Sequence, residues 1–284
     1  MNLRQLRRHW NRFGQTDPLW AILADPDKKG NRWQIDEFFR TGKEEVAAVM
    51  SYVRSLGIEP PKSRALDFGS GIGRLTQALA KHFEEAWGVD IAPSMIQLAE
   101  KYNRHPGLCK YYVNTQPHLR LFEDATFGLI YTSLTLQHMR PEYARAYLKE
   151  FLRLLVPRGI LIFQMPSERV LHPKDPGESA RGEAQQRSVL ARIRQAVASV
   201  VPQTAHDLYL RLRYPEPFPR WEMYGIRKGE LERFLEVNGA QILGVVQDQS
   251  AGPAWISYRY YVTRTQVARQ GRSGIHDKVF AAGA

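Results

Sequence analysis

Apolar positions recur along the chain with two different periods. Leu3, Leu6, Trp10 and Phe13 fall at spacings of three and four, which predicts one apolar helical face over residues 1–15. Arg4, Arg7, Arg8 and Arg12 fall off that face. Residues 16–32 are rich in Asp, Pro, Gly and Lys and predict a loop or short turns. A second helical pattern runs from Asp36 to about Leu56 and ends at Gly57 and Pro60-Pro61. From Arg64 short apolar runs alternate with helical ones. Strands are predicted at Arg64–Phe68, Ala86–Val89, Cys109–Val113, Phe127–Thr132 and Ile160–Met165. Helices are predicted at Gly73–Phe83, from Pro93 to about Asn103, and at Pro141–Leu155, with Pro157-Arg158-Gly159 as a turn. That order predicts a parallel sheet with helices on both faces, an α/β fold.

The alternation then breaks. Residues 166–225 are long and polar, with a predicted helix at Glu183–Val200 and then Pro215, Pro217 and Pro219. This stretch is too long for a simple connection and reads as an inserted cap. The pattern returns with a helix at Lys228–Asn238 and strands at Gln241–Gln247 and Trp255–Thr263. The expected divisions are 1–59 as a helical cover, 60–165 as the core, 166–225 as a cap, 226–264 as completion of the sheet, and 265–284 as a tail.

Composition narrows the classes. The chain has 284 residues, ample for a buried core, and its 43% hydrophobic and 24% charged content is that of a folded globular protein. Its one cysteine, Cys109, excludes an intramolecular disulfide framework and a cysteine-cluster zinc site. No apolar run reaches the ~18 residues of a spanning helix, and no His/Asp/Glu cluster has ligand spacing, so no metal is expected. A cytoplasmic location is expected. The formal net charge of +11 leaves nucleic acid, anionic lipid or an anionic substrate open.

The chemistry lies in Ala65-Leu66-Asp67-Phe68-Gly69-Ser70-Gly71-Ile72-Gly73-Arg74. A strand runs into glycines and directly into a helix, so the backbone can turn tightly and approach a ligand, and the helix offers free N–H groups. Gly88-Val89-Asp90 puts a carboxylate at the end of the next strand, where it can take both ribose hydroxyls. Counted from Gly69, the sixth position is Arg74, so the dinucleotide form G-x-G-x-x-G is not met.

These motifs resemble the first two motifs of the class I S-adenosylmethionine (SAM) methyltransferases. Phe127-Gly128-Leu129-Ile130-Tyr131, Leu136-Gln137-His138-Met139 and Leu154-Leu155-Val156-Pro157-Arg158-Gly159 extend the resemblance, which is nearest to the small-molecule branch with the quinone-biosynthesis enzymes. It implies a Rossmann-like, seven-stranded, mostly parallel sheet with the seventh strand antiparallel, an N-terminal helical cover and a cap after strand five. It also implies SAM as cofactor. Gly69, Ser70, Gly71 and Gly73 would pass under its methionine and ribose. Asp67 would support that loop or the amino group. Asp90 would hold the ribose, Ile91 and Met95 would flank the adenine, and Asn114 would bond its amine. Ser133 and Leu134 would lie beside the sulfonium, and Arg74 and Gly42 at the carboxylate end. Gly128, where an Asp commonly opens strand four, and Arg158, in place of a common Gly, depart from the family pattern.

His138, just past strand four, is the candidate general base, with a backbone-bonded structural role as its competitor. His172, Asp175, His206 and Tyr209 in the cap are weaker candidates. Trp221, Tyr224, Trp255, Tyr258, Tyr260 and Tyr261 read mainly as packing, Tyr258 and Tyr260 on one strand face and Trp255 and Tyr261 on the other. The expected activity is SAM-dependent methyl transfer to an oxygen or nitrogen of a small-molecule acceptor, anionic ones included. The alternatives are an RNA-modifying methyltransferase or RNA-binding protein, which the lack of a long basic run disfavours, and a catalytically silent partner of the same fold. The oligomeric state is not legible.

Overall fold

The computed structural model describes residues 1–170 and 221–265. The predicted helix at 183–200, the cap candidates His172, Asp175, His206 and Tyr209, and the tail past residue 265 lie outside the described residues. Seven strands form one sheet: β1 (Arg64–Phe68), β2 (Glu85–Asp90), β3 (Cys109–Val113), β4 (Phe127–Thr132), β5 (Leu155–Arg169), β6 (Ala240–Asp248) and β7 (Trp255–Arg264). Their order is β3-β2-β1-β4-β5-β7-β6, and only β7 runs against the rest. The chain starts in the middle of the sheet and works outward to β3 before crossing to β4. That leaves a crevice at the C-terminal ends of β1 and β4, where the winding reverses and open α/β sheets bind ligands.

Helices cover both faces, which is why every residue of β4 is buried. On one face α3 (Ile35–Ser55) and α4 (Arg74–Leu79) bring Val46, Val49, Val53 and Leu79 onto Ala65, Leu129, Ile160 and Ile162. On the other, α6 (Pro141–Leu154) and α7 (Lys228–Val237) bring Leu148, Phe151, Leu231 and Leu235 into one cluster with Leu66, Phe127, Leu161 and Phe163. A third cluster, with Phe13, Ala21, Phe38, Ile72 and Met95, joins the N-terminal helices to the glycine turn and to α5 (Pro93–Lys101).

The N-terminal cover is α1 (Leu3–Thr16), α2 (Pro18–Ile22) and α3. Asn2 and Gln5 form a capping box that starts α1. Leu6 and Phe13 are buried, each worth about 1.5–3 kcal/mol of transfer free energy. Asn11 pins the helix across α5: Ser94 donates its backbone N–H to Asn11 Oδ1 (3.0 Å) and its hydroxyl to the Asn11 carbonyl (2.7 Å). Gly14 permits this approach, since a Cβ there would lie 2.2 Å from Ser94 Oγ. The stretch expected to be loop at 16–32 contains α2, started by Pro18 at the first helical position, and a 3₁₀ turn at Pro26–Lys28.

β5 begins five residues earlier than Ile160, because Leu155 pairs with Phe127 before the ladder shifts register. The expected turn is therefore an irregularity inside the strand, where Arg158 adopts φ 64°. Gly128 has a steric reason. A Cβ there would sit 1.8 Å from the Pro61 carbonyl oxygen, so the Pro60-Pro61 connection fills the space an Asp would need. Cys109 is buried and unpaired, and burial pushes its thiol up to about 11. Tyr260 stacks on Phe163 (4.9 Å) and Tyr261 meets Tyr52 (4.5 Å) on opposite faces, as the alternation predicts. Among the described residues no helix is long and apolar enough to cross a membrane.

Candidate functional site

The glycine turn is built from left-handed backbone. Gly69, Gly71 and Gly73 have φ of 79°, 53° and 83°, which L side chains rarely adopt. Space is equally tight. A Cβ on Gly69 would lie 2.1 Å from Thr135 Oγ1, and one on Gly71 2.6 Å from Ile22 Cδ1. Val89, at the end of β2, takes the N–H groups of Gly69 (2.8 Å) and Ser70 (3.1 Å) on its carbonyl. Asp90 takes the N–H of Gly71 on Oδ2 (2.9 Å) and that of Ala92 on Oδ1 (2.8 Å). Each carboxylate oxygen keeps a lone pair for a ligand. Burial pushes the Asp90 pKa up against the pull of these donors.

The turn floors a cleft that is open to solvent. Its walls are the ends of β1, β2 and β4, with Phe68, Val89, Asp90, Ile91, Asn114, Ser133, Leu134 and Thr135. Its roof comes from the far end of the sequence: Leu6 and Trp10 of α1 and Ile22 of α2. His138, Met139 and Tyr147 complete it, and among the described residues the lining has neither lysine nor arginine.

Leu134 is held at φ 58°, a strained conformation for a branched side chain, by its N–H on Gln164 Oε1 (3.3 Å). Gln164 Nε2 bonds Gln137 Oε1 (3.2 Å) and Ser257 Oγ (2.7 Å). Gln137 Nε2 then reaches His138 Nε2 (3.3 Å), and His138 Nδ1 reaches the Glu222 carbonyl (2.9 Å). That carbonyl can only accept, so Nδ1 carries the proton and Nε2 is the accepting nitrogen. Burial lowers the His138 pKa to about 4, so the ring is neutral at pH 7. Trp10 packs on it at 5.3 Å between ring centroids, and Trp221 bridges to Phe13 (5.1 Å) and Trp20 (5.3 Å).

An acid placed for a diol, glycines that admit a close ligand and the lack of a competing cation suit a cationic nucleoside. Ser133 Oγ and Ser70 Oγ are buried without a partner, and Ser133 faces the cleft. The family profile described as "Methyltransferase domain" matches residues 66–163. The chain is 27% identical over 228 residues to phthiotriol/phenolphthiotriol dimycocerosates methyltransferase of Mycobacterium leprae, covering 78% of each chain. Residues 66–163 are a methyltransferase domain, and the fold is that of the SAM-dependent methyltransferases.

The ubiquinone biosynthesis O-methyltransferase of Cereibacter sphaeroides is 26% identical over 153 residues, 54% of this chain and 56% of that one. The crystal structure of magnesium protoporphyrin IX methyltransferase from Synechocystis with bound SAH shares the fold. Its TM-score is 0.56 at 15% identity, over 93% of this chain and 100% of that one. That family match and the named methyltransferase relatives make this chain an enzyme of methyl transfer.

Of the residues singled out in the sequence, Gly69, Gly71, Asp90, Ile91, Asn114, Ser133, Leu134 and His138 meet in this one cleft. Asn114 is spent on its own loop, donating to the Gln116 (3.1 Å) and His118 (3.0 Å) carbonyls. Asp67, Ser70, Gly73, Arg74, Met95 and Gly42 stand outside the lining. Asp67 lies behind the turn, accepting the Thr76 hydroxyl (2.7 Å), and burial pushes it up to about 7. Arg74 turns to α3, where its guanidinium pairs with Glu45 (2.7 Å) and bonds Thr41 (3.3 Å). Gly42 lets α3 close on Arg74, whose carbonyl would be 2.5 Å from a Cβ. Leu6, Trp10, Ile22, Thr135, Met139 and Tyr147 were not foreseen as lining. The apolar face of residues 1–15 was the one signal for Leu6 and Trp10.

Proposed function

We propose that the methyltransferase acts on an oxygen, or failing that a nitrogen, of a neutral and largely apolar small molecule held beside His138 under α1. The carrying observation is the lining. Among the described lining residues Leu6, Trp10, Ile22, Phe68, Ile91 and Met139 are apolar, Asp90 is the one carboxyl group, and His138 is neutral. Among the described lining residues an anionic acceptor would find no lysine or arginine. The name of the Cereibacter relative, an O-methyltransferase, supports the choice of oxygen.

Bound SAM supplies a methyl group on a sulfonium, transferred in line to the acceptor. Gly69, Ser70, Gly71 and Gly73 let the backbone pass beneath it, and Asp90 takes the ribose hydroxyls on its remaining lone pairs. Ile91 flanks the adenine, while Met95 backs that wall from the core. Ser133 and Leu134 border the sulfur. Asp67, Arg74 and Gly42 act one layer back, Asp67 on the start of α4 and Arg74 on α3. For His138 Nε2 to act as base the acceptor O–H would have to replace the Gln137 amide on its one lone pair, and Nε2 would then take the hydroxyl proton as the new bond forms. Leu6, Trp10 and Ile22 exclude water. In this reading residues 1–59 are a cover, 60–165 with 226–264 the catalytic core, and 166–225 the cap that selects the acceptor.

Transfer of radiolabelled methyl from SAM to a panel of phenols, aliphatic alcohols and amines tests the reading. Label should enter organic-extractable hydroxyl compounds. Label only in charged, water-soluble amines would overturn it.

A further inference from the structure

The helix that roofs the cleft has a second face. On a helical wheel Arg4 and Arg8 stand opposite Leu6, Trp10 and Phe13, Arg7 lies at the border of that apolar face, and all three arginines are exposed. α1 contains no Asp or Glu, and Arg4, Arg7, Arg8 and Arg12 form no ion pair with any described residue. Arg4, Arg7 and Arg8 border a shallow open groove with Asn11, Gln15 and Gln97. At a rise of about 1.5 Å per residue, Arg4 and Arg12 lie roughly 12 Å apart along the axis. The charges form a row along the helix beside this groove, not a ring converging on one phosphate. Such a row fits an extended array of anions. The groove has no aromatic residue on which a nucleic-acid base could stack, which favours lipid headgroups over single-stranded nucleic acid.

The inner face of the same helix supplies Leu6 and Trp10 to a largely apolar cleft with no cation among its described lining residues. The arginines are therefore not placed to hold the acceptor itself. We propose that the outer face of α1 docks the methyltransferase on an anionic bilayer, with the cleft roof at the lipid surface from which an apolar acceptor would enter. This rests on the apolar-acceptor reading for its purpose, but not for its test.

The full chain is sedimented with phosphatidylcholine vesicles that contain phosphatidylglycerol, and with phosphatidylcholine vesicles alone. Binding should need phosphatidylglycerol and weaken as salt rises. At about 1 kcal/mol for each basic residue near such a surface, the combined Arg4→Ala, Arg7→Ala and Arg8→Ala variant should bind on the order of a hundredfold more weakly. Lys at the same three positions should restore binding, and SAM affinity by calorimetry should be unchanged in both variants. Failure of the wild type to bind, equal binding by the Ala variant, or preference for a single-stranded RNA oligonucleotide or an acidic protein over the vesicles would overturn the proposal. Vesicle binding without transfer to any hydroxyl acceptor would count against the proposed function and leave the docking surface standing.

Discussion

Replacing His138 by Gln should change how stability depends on pH. The ring is buried and its pKa falls from the ordinary 6.5 to about 4. Above pH 6.5 the folded and unfolded chains both carry it neutral, and its full contribution is present. Below that, the unfolded chain takes a proton that the folded chain refuses until about pH 4. The stability tied to the group is lost across this window, about 3 kcal/mol in all and about 2 kcal/mol by pH 5. Asp67 works the other way. Burial pushes it up to about 7 from 3.8, so the folded chain protonates first as pH falls. That adds stability of similar size, about 2 kcal/mol between pH 7 and pH 5. The two groups therefore offset each other in the wild type, and the signal lies in the difference between proteins. Urea unfolding of wild type and His138→Gln at about pH 7.5, 6 and 5 gives that difference. Wild type should lose about 2 kcal/mol relative to the variant between the extremes. Parallel curves would refute a buried, neutral imidazole with Nδ1–H on the Glu222 carbonyl.

Further consequences follow from single contacts. Asp90→Ala should weaken SAM binding by at least about tenfold in calorimetry, through loss of two charged hydrogen bonds to the ribose; unchanged affinity would mean the ribose lies elsewhere. Trp10→Ala removes a roof ring that packs on His138 and Phe13 (5.3 and 5.5 Å between centroids). It should weaken SAM binding by about tenfold, or about 1.4 kcal/mol, with little change in the unfolding midpoint of the core. Gly128→Asp restores the common family residue, yet its Cβ would meet the Pro61 carbonyl at 1.8 Å. It should destabilise the protein by about 3 kcal/mol or more in urea unfolding; a neutral result would show that the Pro60-Pro61 connection can move aside.

Local rules made much of the sheet legible. β1, β3 and β4 have the boundaries their apolar runs predict, and β1 and β4 are bounded on both sides by glycine or polar residues. β5 was harder to read. Pro157-Arg158-Gly159 has turn chemistry, but the pairing of Leu155 with Phe127 absorbs it as an irregularity within the ladder. The floor of the cleft was legible because Gly69–Gly73 and Asp90 act through backbone conformation and a charge at a strand end. The roof was not, because Leu6, Trp10 and Ile22 reach the cleft only through tertiary packing, Asn11 on Ser94 above all. Arg74 shows the reverse: its place in the motif suggests a ligand contact, but Glu45 on α3 offers a closer partner.

A crystal structure with S-adenosylhomocysteine tests the central claim most directly. The ribose hydroxyls should lie on Asp90, the backbone of Gly69–Gly71 beneath the ligand, and the sulfur beside Ser133 and Leu134 under Trp10. Ligand density elsewhere, or no binding at millimolar concentration, would contradict the account.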